Sequence, residues 1–269
     1  MKELTTFGRS GFALAIMVFG VQHFSYRDFV TRVVPWMPGW LPGHSVLAVL
    51  CGALLIALGA LILSGRAARP AALLLGLGLL ASFALLHLPW AIVNPDQGGL
   101  WTNAGKALAL AGGALLTAGS LPRTPPATAG RLENLLRPLE DLIPRARHLL
   151  SLFLILCGVQ HFIYVDFVMS LVPGWIPGPR FWTCFTGVAL IAGGLGISFR
   201  PTTRLAAALS SLMIFLWVML LHIPRALADL HNSNETTAVF EALALSGTAL
   251  LIAVRATQPQ RVTKAYGSS

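Results

Sequence analysis

The stretch "FGVQHFSYRDFV", Phe19–Val30, returns in the middle of the chain as "CGVQHFIYVDFV", Cys157–Val168, an offset of 138 positions. Three further pairs follow in the same order. "MPGWLPG" (Met37–Gly43) matches "VPGWIPG" (Val172–Gly178), His87-Leu88-Pro89 matches His222-Ile223-Pro224, and "KALALAGGALL" from Lys106 matches "EALALSGTALL" from Glu241. These three pairs share an offset of 135, so a single three-residue indel after the first block accounts for all the shifts. Four ordered matches are the signature of a duplicated unit.

What the unit is follows from composition. The 269 residues are 55% hydrophobic and only 11% charged, with a mean hydropathy of +0.73. A soluble domain of this size cannot bury so much apolar surface. A bilayer core about 30 Å thick needs roughly 20 apolar residues in a helix. Eight runs meet that length approximately: 10–26, 45–64, 71–93 and 100–121 in the first copy, and 148–165, 181–199, 205–224 and 236–254 in the second. Frequent glycine inside them, as in "GALLIALGALIL", favours close helix packing in lipid. The expected fold is therefore all-α and membrane-integral, with eight transmembrane helices arranged as two parallel four-helix bundles. Residues 1–121 form the first repeat, 122–147 a linker, 148–256 the second repeat and 257–269 a flexible tail.

Four spans per copy return the chain to its starting side, so the copies enter the membrane in the same sense. The net charge of +9 does not form a nucleic-acid stripe but sits in short segments between apolar runs. Fourteen lysines and arginines fall to the side of the termini, the linker and the loops after spans two and six. Five (Arg27, Arg32, Lys106, Arg180 and Arg225) fall to the other side. The asymmetry places both termini in the cytoplasm. The first apolar run lacks a clean small-x-small cleavage site and recurs mid-chain, so it reads as a retained helix rather than a signal peptide. In the linker, "RLENLLRPLEDLIPRAR" reads as a short amphipathic helix on the cytoplasmic interface, broken at Pro138 and Pro144. "LPRTPPATAG" before it reads as a flexible connector.

Polar groups at membrane depth are costly and call for a reason. Each copy gathers two histidines and one charged residue near the outer face: His23, His87 and Lys106 in the first, His161, His222 and Glu241 in the second. These six are the candidate ligand-binding residues. Interfacial hydrogen bonding accounts for the histidines without any chemistry. Three further chemistries fit them: hydrogen bonds to the carbonyl of a quinone, a haem held by the pair from the first and third spans of a repeat, and a metal completed by Asp28, Asp166 or Glu241. Haem and metal carry no spacing signature of their own, and quinone is the preferred cofactor. Lys106 and Glu241 occupy equivalent positions with opposite charge. They predict an ion pair if the bundles meet there, or a snorkelling lysine beside a carboxylate open to a proton or cation. Pro89 and Pro224 leave the carbonyls of Leu85 and Leu220 without their usual donors and predict a bend or a helix stop. Trp40 and Trp175, in the paired Pro-Gly loops, suit the headgroup region. Asp28 and Asp166 are positioned to order those loops. Cys51, Cys157 and Cys184 form no CxxC pair and read as small buried hydrophobes.

The segment "GVQHFIYVDFVMSLVPGWIPGPRFW", with "GVALIAGGLGI" and "RLAA" after it, resembles the DoxX-like membrane proteins of bacteria. The shared pattern is a Gly-x-x-His-Phe end to the first helix, a Pro-rich Trp loop, a Gly-rich second helix and an Arg-x-Ala-Ala start to the third. It covers both halves, and the second half more closely. The resemblance implies a four-helix bundle in the bacterial cytoplasmic (inner) membrane, with other membrane redox subunits as partners and quinone-linked redox work in some relatives. This chain lacks the cysteine pair of the redox-active relatives and fuses two bundles into one polypeptide. The expectation is thus a DoxX-like redox component or accessory subunit. The alternatives are a small-solute or proton-coupled transporter with its site between the bundles, and a structural membrane partner.

Overall fold

The computed structural model describes residues 1–35, 37, 39–40, 42–123, 125 and 130–256. All regular structure among them is helical: α1 (Lys2–Tyr26), α2 (His44–Ser64), α3 (Ala68–Ser82), α4 (Leu88–Val93), α5 (Gly98–Gly119), α6 (Arg131–Glu140), α7 (Arg147–Ile163), α8 (Val165–Leu171), α9 (Pro179–Ser198), α10 (Thr203–Trp217), α11 (Ile223–Ala228) and α12 (Ser233–Arg255). Six of these stretches are long and apolar enough to cross a membrane: α1, α2, α3 through α4, α9, α10 through α11, and α12. They mark the chain as a membrane-embedded protein.

The two other expected spans fall short for identifiable reasons. Helix α7 has only 17 residues by itself, because Tyr164 (φ −112°, ψ 42°) interrupts it before α8, and it reaches spanning length only together with the Arg137–Arg145 segment, from which it bends by 50°. Helix α5 is long enough at 22 residues, but Thr102, Asn103, Lys106 and its glycines dilute its apolarity. It can bear that dilution because it runs through the middle of the molecule. Ala104, Gly105, Ala107 and every residue from Ala109 to Ala118 are buried against neighbouring helices rather than lipid. Helix α12 is its counterpart, buried almost continuously from Ala244 to Val254.

Small residues set the helix crossings. A Cβ on Gly20 would lie 2.6 Å from the Gly52 carbonyl oxygen, and one on Gly158 2.7 Å from that of Gly187, which joins α1 to α2 and α7 to α9 in the same way. Close contact continues between the halves. Gly247 of α12 faces the Gly8 carbonyl of α1 at 2.6 Å, and Gly112 of α5 faces the Ala146 carbonyl at the start of α7 at 2.9 Å, measured likewise. Each first helix thus packs on the last helix of the other half, α1 on α12 and α7 on α5, and α5 and α12 touch each other. The centre is one bundle of α1, α5, α7 and α12, flanked by α2 with α3 on one side and by α9 with α10 on the other.

The prolines do not stop their helices. Five-residue π-helical turns, Phe83–His87 and Val218–His222, precede Pro89 and Pro224. There the Leu88 and Ile223 amides reach back five residues to Phe83 and Val218. Widening the helix makes room for a ring that would strike the carbonyl four residues earlier. Both spans continue as 26-residue units to Val93 and Ala228. The predicted break at Pro138 is likewise absent, since α6 carries that proline inside its last turn. Pro144 lies in a short 3-10 turn, Ile143–Arg145. In α6, Leu136 and Leu139 are buried and Leu132 and Leu135 exposed. Arg69, at the start of α3, clamps α6 through a bidentate contact with Glu140 and donates to the Ala118 and Leu121 carbonyls at the end of α5. The tail from residue 257 and most of the connector before α6 lie outside the described residues.

Candidate functional site

Glu241 sits on the inward face of α12, 6% exposed. Its two carboxylate oxygens each take a cation. Lys106 Nζ of α5 lies 3.1 Å from Oε1, and Arg32 Nε donates to Oε2 at 2.7 Å. The ion pair predicted from the repeat is therefore formed, and Lys106 does not reach for the interface alone.

Arg32 was counted only as an outer-side cation in the sequence. Its guanidinium also donates to Asn234 Oδ1 at 2.7 Å and to Thr31 Oγ1 at 3.4 Å, and the residue is 7% exposed. It arrives from the connection after α1, where Arg27 adopts a left-handed conformation (φ 52°, ψ 31°) that ends the helix and turns the chain back over α12. The counterpart of Arg27 is Val165, whose branched Cβ disfavours that conformation. There the chain continues as α8, which leans on α9, and Arg32 falls where the three-residue indel lies, opposite a Met-Ser-Leu stretch (169–171) with no cation.

Four candidate histidines divide into two kinds. His23 Nδ1 bonds the Phe19 carbonyl at 2.6 Å, and His161 Nδ1 bonds that of Cys157 at 2.7 Å. A carbonyl partner requires the proton on Nδ1, which leaves Nε2 as an acceptor. In His23 that nitrogen accepts the Val30 amide at 3.3 Å, so this fully buried ring closes the turn that presents Arg32. With both nitrogens engaged, it cannot ligate haem or metal without giving up these bonds. His87 and His222 stand on the π-turns. His87 is 2% exposed and its Nε2 has no hydrogen-bond partner. His222 is half-buried, within electrostatic reach of Glu241, Lys106, Glu235 and Arg225. Glu235 and Arg225 pair with each other, Arg225 Nε donating at 2.9 Å. Cys157, on α7, lies within reach of Lys106 and Glu241. Among the described residues, no three His, Cys, Asp or Glu side chains are placed to hold a metal ion.

The cluster therefore unites Arg32, Lys106 and Glu241, with His222 and Cys157 within electrostatic reach. The loop residues fall elsewhere. Trp40 and Trp175 are 81% and 67% exposed, as side chains reaching into headgroups would be. Asp28 accepts the Phe29 amide at 2.6 Å and lies 3.3 Å from His44 Nε2, while Asp166 stands in the first turn of α8. Two glutamines complete the junction. Gln22 of α1 accepts from Thr237 of α12 at 3.0 Å, and Gln160 of α7 accepts from Thr102 of α5 at 2.8 Å. Both recur in the repeated "GVQHF", the signal that would have singled them out.

The family DUF8561, described as a domain of unknown function, matches residues 150–257, from α7 to the end of α12. No curated protein and no solved structure matches the chain.

Proposed function

We propose that this chain is a DoxX-like protein of the bacterial cytoplasmic membrane that binds a lipid-soluble, oxygen-bearing ligand of the quinone class. It would do so as a redox component or as an accessory to other membrane redox subunits. The reading takes the chain as two four-helix repeats, 1–121 and 148–256, crossing eight times with both termini in the cytoplasm. In support, contacts made by Gly20, Gly247 and Gln22 reappear at Gly158, Gly112 and Gln160. The linker helix and the tail would then lie on the cytoplasmic side.

The observation that carries the ligand reading is the pairing of unspent polar groups with an apolar groove. Among the described residues the His222 ring makes no hydrogen bond, and Lys106 uses only one of its three donors. A largely apolar groove of about 210 Å³ runs between α11 and α12, lined by Ile223, Ala226, Leu227, Leu230, Thr236, Val239 and Phe240. Ile223 and Phe240 are the sequence neighbours of His222 and Glu241. A headgroup held by donors with a tail in an apolar groove is the usual division of labour in such sites.

The test is purification in native-lipid discs, organic extraction and analysis for quinone, followed by titration of a short-tail quinone. Co-purified quinone, with binding weakened about tenfold by His222→Ala, is expected. An extract free of quinone together with no saturable binding refutes the reading. A proton-coupled transporter built on Glu241 is the weaker alternative, since that carboxylate is held by two cations.

A further inference from the structure

The charges at the cluster do not balance. Arg225 and Glu235 close on each other in a two-point contact and cancel. Arg32 and Lys106 share the single negative charge of Glu241. Arg32 spends three of its five N–H donors on Glu241, Asn234 and Thr31 and makes the shorter contact with the carboxylate, 2.7 Å against 3.1 Å, so the surplus positive charge is assigned to Lys106, whose side chain is 16% exposed. His222 and Cys157, its other close neighbours, supply no negative charge while neutral. A charge buried without a partner is among the costlier features of a protein interior, and more so at membrane depth.

We infer that the cluster takes its ligand as an anion, with a negatively charged oxygen seated on Lys106 Nζ. The inference rests on the reading of this cluster as a ligand site and specifies what that site selects. The recognised chemistry is a monoanionic oxygen on an otherwise apolar body, whether the carboxylate of an aromatic acid or the oxyanion of a reduced quinone. The unspent donors of Lys106 point to it, since a neutral carbonyl would accept one hydrogen bond and leave the charge uncompensated.

Benzoate and benzamide, alike in shape and different in charge, provide the test. Each is titrated calorimetrically into the full chain in phosphatidylcholine discs, whose lipid is zwitterionic. Benzoate is expected to bind at least tenfold more tightly than benzamide. Lys106→Gln should remove the difference, Lys106→Arg should keep it, and Glu241→Gln, which leaves the cluster more positive, should hold or widen it. Equal binding of the two probes by the wild type, or no binding of either, overturns the inference without any variant. So does a Glu241→Gln protein that loses benzoate as fully as Lys106→Gln, because a purely structural ion pair would behave that way. If short-tail quinone binds but benzoate does not, the quinone reading stands and the anion falls. If benzoate binds and quinone neither binds nor displaces it, the anion stands and the quinone reading falls.

Discussion

Removing the Glu241 carboxylate leaves two cations facing each other inside the molecule, and the size of the loss follows from the geometry. Lys106 and Arg32 lie 3.1 and 2.7 Å from its two oxygens, which sets the cations roughly 6 Å apart. At an effective dielectric near 20 their repulsion is about 3 kcal/mol once the carboxylate is gone. Breaking a buried pair by deleting one member costs about 3–5 kcal/mol in general, because the partner stays buried and unpaired. Glu241→Ala should therefore lower the unfolding midpoint by roughly 10 °C, taking about 2–4 °C per kcal/mol as for domains somewhat shorter than this chain. Lys106→Met alone should cost far less, since Glu241 keeps Arg32. The double variant should be more stable than Glu241→Ala, since only one unpaired cation remains, and a coupling energy on the order of 1–3 kcal/mol should appear in the cycle. Tryptophan-fluorescence melts of the four proteins in one detergent measure all of this. A Glu241→Ala protein melting within 2 °C of wild type, or a double variant equal to the sum of the singles, refutes the account.

Three other outcomes are expected. Gly247→Leu drives a side chain into the Gly8 carbonyl and should cut the yield of folded protein several-fold by size-exclusion profile, whereas Gly99→Leu, in open space, should not. Arg27→Val makes the first copy read like the second and strains the left-handed cap. It should cost roughly 1–2 kcal/mol and displace Arg32, visible as a small further loss of stability on adding Arg32→Met. The Glu140 carboxyl, outside the spans, is held below its ordinary range chiefly by the Arg69 hydrogen bond. A depressed folded value means the contact stabilises fully at neutral pH and is lost as pH falls through that value. Amide exchange in α6 should accelerate on acidification, and Arg69→Gln should make it fast already at pH 7.

The sequence makes the helical membrane class, the duplication and the Lys106–Glu241 pair legible, because each rests on a pattern that survives without coordinates. Apolar run length reads the solvent, and an offset shared by three motifs reads the copy. The swapped packing of α1 on α12 and α7 on α5 is not legible, since Gly8, Gly112 and Gly247 mark close approach without naming the partner helix. Nor is the π-turn. A proline announces only that a hydrogen bond is missing, and a kink, a stop and a widened turn all answer that need. Arg32 is the larger omission. It has no counterpart in the second copy, and its partner Glu241 lies more than two hundred residues away, so neither repetition nor local spacing points to it.

On the proposed reading of the chain as two fused copies, that omission also explains what fusion does. In a symmetric dimer of a single four-helix unit, positions 106 and 241 would carry the same residue, and two like charges would meet at the crossing of α5 and α12. Once the copies lie in one chain they are free to differ. Lys at one position and Glu at the other turn repulsion into attraction. A second divergence, Arg27 against Val165, sends one outer connection inward and leaves the other as α8 on the flank. The inward connection delivers Arg32, and with it the positive surplus that Lys106 then holds. The site is thus a product of asymmetry: neither copy contains it, and restoring symmetry at position 27, 106 or 241 should dismantle it from a different side each time.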